Sequence, residues 1–288
     1  MKPPTHPAAL SRRAALTRLV WATLATVSLA GCAAPSASPP HRVQDWDTPI
    51  ALRLEALGGT DVLVLGEQHD APEHQRQHQA AVRALADQGA LGAVVLEMAE
   101  AGHDTRSLAA DATEPQVRQA LGWRQEAWPW DLYGPAVMAA VAAGVPVHGG
   151  NLPRQRNALV MKEAGWDTRV NADVLARQRD AVKEGHCDLL LPSQIGPMTR
   201  IQLARDAQMA ATAQAVHVPG LVVLVLAGSQ HAHKVLGVPA HLPPTLKVKT
   251  VRLAAGGPRP GDAEGFDAVW TTPPVPSKDH CATLKRPG

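Results

Sequence analysis

Two aliphatic runs in this chain end in the same polar signature. "VLVLGEQHD" (62–70) stops at Gly66-Glu67-Gln68-His69, and "LVVLVLAGSQHAH" (221–233) stops at Gly228-Ser229-Gln230-His231, with His233 just beyond. A third apolar stretch, "AVVLE" (93–97), ends in Glu97, and a fourth, "VPVH" (145–148), ends in His148 before "GGN" (149–151). Imidazole and carboxylate are the groups that move protons or hold metal ions at neutral pH. His74 and His78 lie four residues apart beyond the first signature, so they share one helix face, a spacing that also suits a metal. Ala81 and Leu85 continue that face and mark it as the inward side, which favours a buried place for His78 and leaves His74 as a candidate to line a cleft.

These groups need a scaffold that brings strand ends together. Near-continuous aliphatic runs are typical of strands buried on both faces, as in parallel sheets. Strands are expected at 62–65, 93–97, 145–148, 221–227, 246–253 and 267–270. Between them lie helical patterns at 135–143, 172–184 and 199–216. Another runs from a capping box at Asp70-Ala71-Pro72-Glu73, with Asp70 as N-cap, to about Gln88. Alternating strand and helix predicts an α/β fold: one domain with a central, largely parallel sheet flanked by helices. In such sheets ligands sit beyond the carboxyl ends of the strands. Glu67, His69, Glu97, His148 and His231 would therefore converge on one cleft. The segment "WRQEAWPWDLYGP" (123–135) adds Trp123, Trp128, Trp130 and the only tyrosine, Tyr133. It is either plain core or an aromatic wall for a flat ligand. Phenolate and imidazole are both known ligands of haem iron.

The first 31 residues read as an export signal. Lys2, Arg12, Arg13 and Arg18 precede a short apolar stretch at 19–29, followed by "LAGC", which ends in Cys32. This is the pattern of a lipoprotein cleavage box, with Cys32 lipidated; "SRR" (11–13) is a weak hint of twin-arginine export. Residues 32–44 are then a lipidated cysteine and Pro-rich tether, 45–272 the domain, and 273–288 a Pro-rich tail. Several acyl chains on one cysteine make a stable membrane anchor, and the outer membrane facing the periplasm is the expected location. Residues 1–31 hold four of the 28 basic residues and none of the 26 acidic ones. The remaining chain is thus slightly acidic with no basic run, which argues against a nucleic-acid partner. With Cys32 assigned to lipid, Cys187 and Cys281 are left, and an oxidising compartment makes one disulfide between them the expectation over two free thiols.

Taken in order, these motifs resemble the ChaN-like lipoproteins of the haem-binding uptake/Tiki superfamily. The resemblance is carried by "VLVLGEQHDAPEHQRQ", "VVLEM", "WPWDLYGP", "VPVHGGNLPR", "HCDLLLP", "MTRIQLARDAQMA" and "AGSQHAHKVLGVP". Ser229, His233 and Ala268 depart from the family's usual residues. The resemblance implies iron-linked haem binding, with a homodimer as one arrangement. Candidate ligands are His69, His231, Tyr133, His74 and His233. Trp128, Trp130, His148 and Asn151 would line the pocket, and Arg154 or Arg156 would pair with propionates. The superfamily also contains metal-dependent hydrolases. On that second reading Glu67 or Glu97 is a general base, while His69, His231 and His74 hold a divalent metal such as zinc.

Overall fold

The aliphatic runs form the centre of a sheet, because only a strand covered on both faces can be apolar at every position. The computed structural model describes residues 42–284. The expected signal peptide, Cys32, most of the tether and the last residues of the tail lie outside the described residues. The strands are β1 (Arg42–Gln44), β2 (Val62–Glu67), β3 (Leu91–Glu100), β4 (Val147–Asn151), β5 (Val222–Gly228), β6 (Val248–Ala255) and β7 (Ala268–Thr272). Among the described residues they make one sheet in the order β1-β7-β6-β2-β5-β3-β4, with every pairing parallel. The helices are α1 (Ile50–Leu57), α2 (Pro72–Asp87), α3 (Glu114–Ala120), α4 (Trp130–Ala142), α5 (Asn157–Val160), α6 (Ala172–Gly185), α7 (Pro192–Val216), α8 (Ser229–Ala232) and α9 (His280–Leu284).

Side chains alternate across the sheet. Leu63, Leu65, Val94, Leu96, Leu224 and Leu226 face α2 and α4. Val62, Val64, Val95, Val223 and Val225 face the other way, towards Met209, Ala210 and Ala213 of α7. The strands β2 and β5 are neighbours in register, with Glu67 opposite Gly228. The chain leaves β2 for β3 on one side of the sheet and leaves β5 for β6 on the other. A crevice opens where two such connections part.

Several boundaries differ from the sequence reading. Residues 42–44, expected as tether, form an edge strand on β7. The strand expected at 145–148 lies at 147–151, so His148 sits inside it and not at its exit. Gly149 fits there because the Glu100 carbonyl is so close that a Cβ would overlap it. Asp70 is not the cap of α2: Ala71 precedes the helix, and Asp70 instead accepts from Gln68 Nε2 at 2.8 Å. The helix expected from 199 begins at Pro192, where proline is tolerated in a first turn. Trp130, expected in the pocket, opens α4 and packs edge-on against Trp123, 4% exposed.

Gly66, next to the last residue of β2, has a steric reason to be glycine. A Cβ on Gly66 would lie 2.8 Å from both the Cα of Ser229 and the Cβ of Ala232. The Gly66→Ala variant is therefore expected to lose roughly 1–3 kcal/mol of stability, measured as a lower midpoint in urea with an unchanged slope.

Candidate functional site

The first strand end is organised by one carboxylate. Glu67 points to the α2/α4 face, and its side chain is fully buried. His69 Nδ1 lies 2.6 Å from its Oε1, and the Tyr133 hydroxyl donates to the same oxygen at 2.8 Å. Gln75 Nε2 donates to Oε2 at 2.7 Å, and His78 Nδ1 lies 3.3 Å from it. Both histidines and Gln75 are delivered by the turn after β2 and by α2, and Tyr133 comes from α4. A carboxylate only accepts, so in the neutral ring the His69 proton sits on Nδ1 and the lone pair is on Nε2. Burial acts to lower the His69 pKa, but the hydrogen bond to Glu67 and the negative charge of Glu97 outweigh it, and the net shift is upward.

Glu97 points to the opposite face of the sheet. Its Oε2 accepts the Gly228 backbone N–H at 2.7 Å, and its Oε1 lies 3.3 Å from His231 Nε2. The other His231 nitrogen, Nδ1, meets Asp206 of α7 at 2.5 Å. All three are buried. Burial opposes a charge on His231, but Glu97 and Asp206 on either side push its pKa up to about 10. Burial pushes Asp206 up to about 6 against the pull of His231. Burial acts to raise Glu97, yet His231 holds it far below the usual carboxylate range. His231 is thus an imidazolium held between two acids, with both nitrogens engaged. The expectation that it would ligate a metal is corrected on that ground.

His69 is the point where the two faces meet. Its Nε2 is 4.0 Å from Glu97 Oε2, and its side chain is 43% exposed. It stands between two cavities. The wider one, about 580 Å³, is lined by the turns after β2 and β5, the end of β6 with Arg252, and Lys278 and His280 of the tail. The second, about 390 Å³, is lined by the end of β3, Trp128, Asn151, Leu152, Arg154 and Arg205. Trp128 packs edge-on against His69, with ring centroids 5.0 Å apart.

The other expected ligands lie elsewhere. His74 is fully buried: Nδ1 accepts the Gln68 backbone N–H at 2.9 Å, and Nε2 donates to Thr272 Oγ1 at 3.0 Å. It locks α2 to β7 and does not line the cleft. His233 packs on Phe266 and accepts from the backbone N–H groups of Val235 and Leu236. His148 pairs through its backbone with Asp104 in an isolated antiparallel β-bridge and lines neither cavity. Tyr133 is 4% exposed, and burial together with Glu67 raises its pKa well above the usual phenol value, so it is a neutral donor. Arg156 lies on an exposed turn after β4. The metal-hydrolase arrangement is not formed either: His69, His231 and His74 do not converge, and among the described residues no group of three His, Cys, Asp or Glu side chains is placed to hold a metal ion. Asp206, Gln75 and Arg205 are the residues that the sequence reading missed. For Asp206 a signal existed, since it shares a helix face with Leu203, Met209 and Ala210.

A family profile described as "Haem-binding uptake, Tiki superfamily, ChaN" matches residues 53–242. The chain belongs to this family. The matched span contains Glu67, His69, Glu97, Tyr133, Asp206 and His231, and it ends before Arg252 and the tail that complete the wider cavity. Among solved structures, one titled "Cofacial heme binding to ChaN of Campylobacter jejuni" is similar, with a TM-score of 0.63 and 23% identity over 79% of this chain and 98% of that one. That likeness shows a shared fold. The type III effector HopBA1 is more distant, with a TM-score of 0.44 and 14% identity over 83% of this chain and 100% of that one. No curated protein matches the sequence.

Two tests follow from the buried groups. Burial and the neighbouring His78 depress the His74 pKa to about 4. Above its unfolded value of about 6.5 both states are neutral and it adds no pH dependence. Below that, the unfolded chain takes up the proton first, so up to about 3 kcal/mol of stability is lost as pH falls from about 6.5 to 4. His74→Asn should flatten this acid limb in a series of urea melts. Asp206→Asn removes one of the two carboxylates on His231 and should lower that imidazole's pKa by roughly a unit or more, about 1.4 kcal/mol per unit, read by NMR of labelled histidine.

Proposed function

We propose that this chain is a haem-binding protein of iron or haem uptake, with His69 as the residue that meets the iron. The observation that carries it is the short contact from His69 Nδ1 to Glu67, 2.6 Å, at the junction of two cavities. A ligating histidine usually donates its other ring N–H to a carboxylate, which fixes the tautomer and makes the free nitrogen a better donor of its lone pair. Glu67 does this for His69, and Tyr133 and Gln75 keep Glu67 from turning. The residues therefore suit an iron porphyrin. Haem iron accepts an axial imidazole, and Trp128 beside His69 offers an aromatic face to a flat ring. A cavity of about 580 Å³ is within the usual range for small-molecule and cofactor sites.

The setting belongs to the same proposal. The chain is anchored through lipid on Cys32 and faces the periplasm from the outer membrane, a reading supported by the signal pattern ending in "LAGC". The bridge between Cys187 and Cys281 suits an oxidising compartment. Cofacial haem binding is described for ChaN of Campylobacter jejuni. For this chain the same arrangement would take two copies, each contributing one haem, and would appear as a haem-dependent dimer in sedimentation.

The deciding measurement is a haem titration followed by absorbance, on a form beginning after Cys32. The wild type should give a saturable Soret shift. His69→Ala should abolish or displace it, and Glu67→Gln should weaken it by roughly 10–100-fold, the usual penalty for losing the group that orients a ligand. Tyr133→Phe and His231→Ala should retain the wild-type band position. No saturable shift in the wild type would end the haem reading, and a band unmoved by His69→Ala would end the assignment of the ligand.

A further inference from the structure

The smaller cavity has a chemistry of its own. Arg124, Arg154 and Arg205 line it together with Asn151 and Asn157. The three arginines come from separate places: the loop before α4, the turn after β4, and the middle of α7. Two carboxylates also face it, Glu97 and Glu100. Glu97 is already occupied by His231 and by the Gly228 N–H. The balance of fixed charge in the cavity is positive, and a walled cleft strengthens such a field.

Several polar atoms here have no partner in the protein. Arg205 Nε, Asn151 Oδ1 and Asn157 Oδ1 are all buried without a hydrogen bond. An unsatisfied buried polar atom is costly, more so on a charged group. Arg124 uses one of its five donors on Glu126 Oε1 at 3.1 Å, in an exposed contact. The planar guanidinium fork matches a carboxylate two bonds at a time. The unpaired amide oxygens accept from a hydroxyl or from water carried in with the anion. A volume of about 390 Å³ sets the size at a small acid, or at one acidic arm of a larger ligand.

We propose that this cavity is a carboxylate-binding site, with Arg205, Arg154 and Arg124 as the cations that hold the anion beside His69. The site does not depend on iron at His69. Its carboxylate comes either from a free small hydroxy acid or from the propionate of a porphyrin whose ring lies towards Trp128 and His69.

The test separates the two sources and keeps both apart from iron ligation. Citrate is titrated into the protein by calorimetry. Metal-free mesoporphyrin and its dimethyl ester, which has the same ring without free carboxylates, are titrated by fluorescence. Each is repeated on Arg205→Gln, and on Arg154→Gln, which changes an exposed residue. Saturable citrate binding that weakens by roughly tenfold or more in either variant identifies a free acid as the ligand. No citrate binding, with the porphyrin diacid held roughly tenfold tighter than the ester in the wild type and equally in the variants, identifies the propionate. Equal binding of diacid and ester without citrate binding, or any binding that both variants leave unchanged, overturns the proposal. Failure of the haem reading shows separately, in the response of ferric haem to His69→Ala.

Discussion

A buried carboxylate has to be met by donors, and the architecture around the first strand end follows from that requirement for Glu67. Its two oxygens take His69 and Tyr133 on one side, and Gln75 and the His78 contact on the other. Leaving such a charge unpaired in the interior would cost several kcal/mol. The pitch of α2 and the seating of α4 are therefore constrained by more than apolar packing. The helix α2 has to present Gln75 and His78 to one oxygen, and α4 has to bring a phenol to the other. The reward is orientation: His69 is held by a group that is itself held.

The sheet divides labour between its faces. Residues 63, 65 and 67 alternate onto the α2/α4 side, while 95 and 97 fall on the α7 side. Two acids on the strands that flank β5 thus support different networks. Glu67 gathers a phenol, an amide and two imidazoles. Glu97 and Asp206 enclose an imidazolium. The charge on His231 serves to tie β3, α7 and α8 together, whereas His69, less buried and open on one nitrogen, faces the cavities.

How much of this was legible in the sequence depended on whether the signal was local. The parallel sheet could be read from unbroken aliphatic runs, and the family assignment fits the ordered motifs from Val62 to Pro239. Glu67, His69 and Glu97 were legible because strand ends in such sheets converge. The separate fates of the histidines were not. His69 and His74 look alike in sequence, and only the distant Thr272 on β7 turns His74 into a buried strut. Asp206 lies 25 residues from His231, and nothing in its own neighbourhood names its partner. The strand β1 is too short to carry a periodic pattern. The end of β4 differs because Gly149 and Gly150 read as a turn, yet they lie in the strand, where Gly149 admits the Glu100 carbonyl and Gly150 the side chains of Val95 and Met209.

The bridge from Cys187 to Cys281 joins residues 94 positions apart. In the chain-entropy picture a loop of that length is worth about 5 kcal/mol against the open unfolded chain. It also bears on the wider cavity, because Cys281 lies next to one of the lining residues. Gln68 and Asp70 form part of its lining, Lys278 and His280 another part, and His280 pairs with Asp70 at 3.2 Å. The segment that carries Lys278 and His280 is held in place by its fastening to the loop between α6 and α7, so the shape of the wider cavity is coupled to the redox state of one bond.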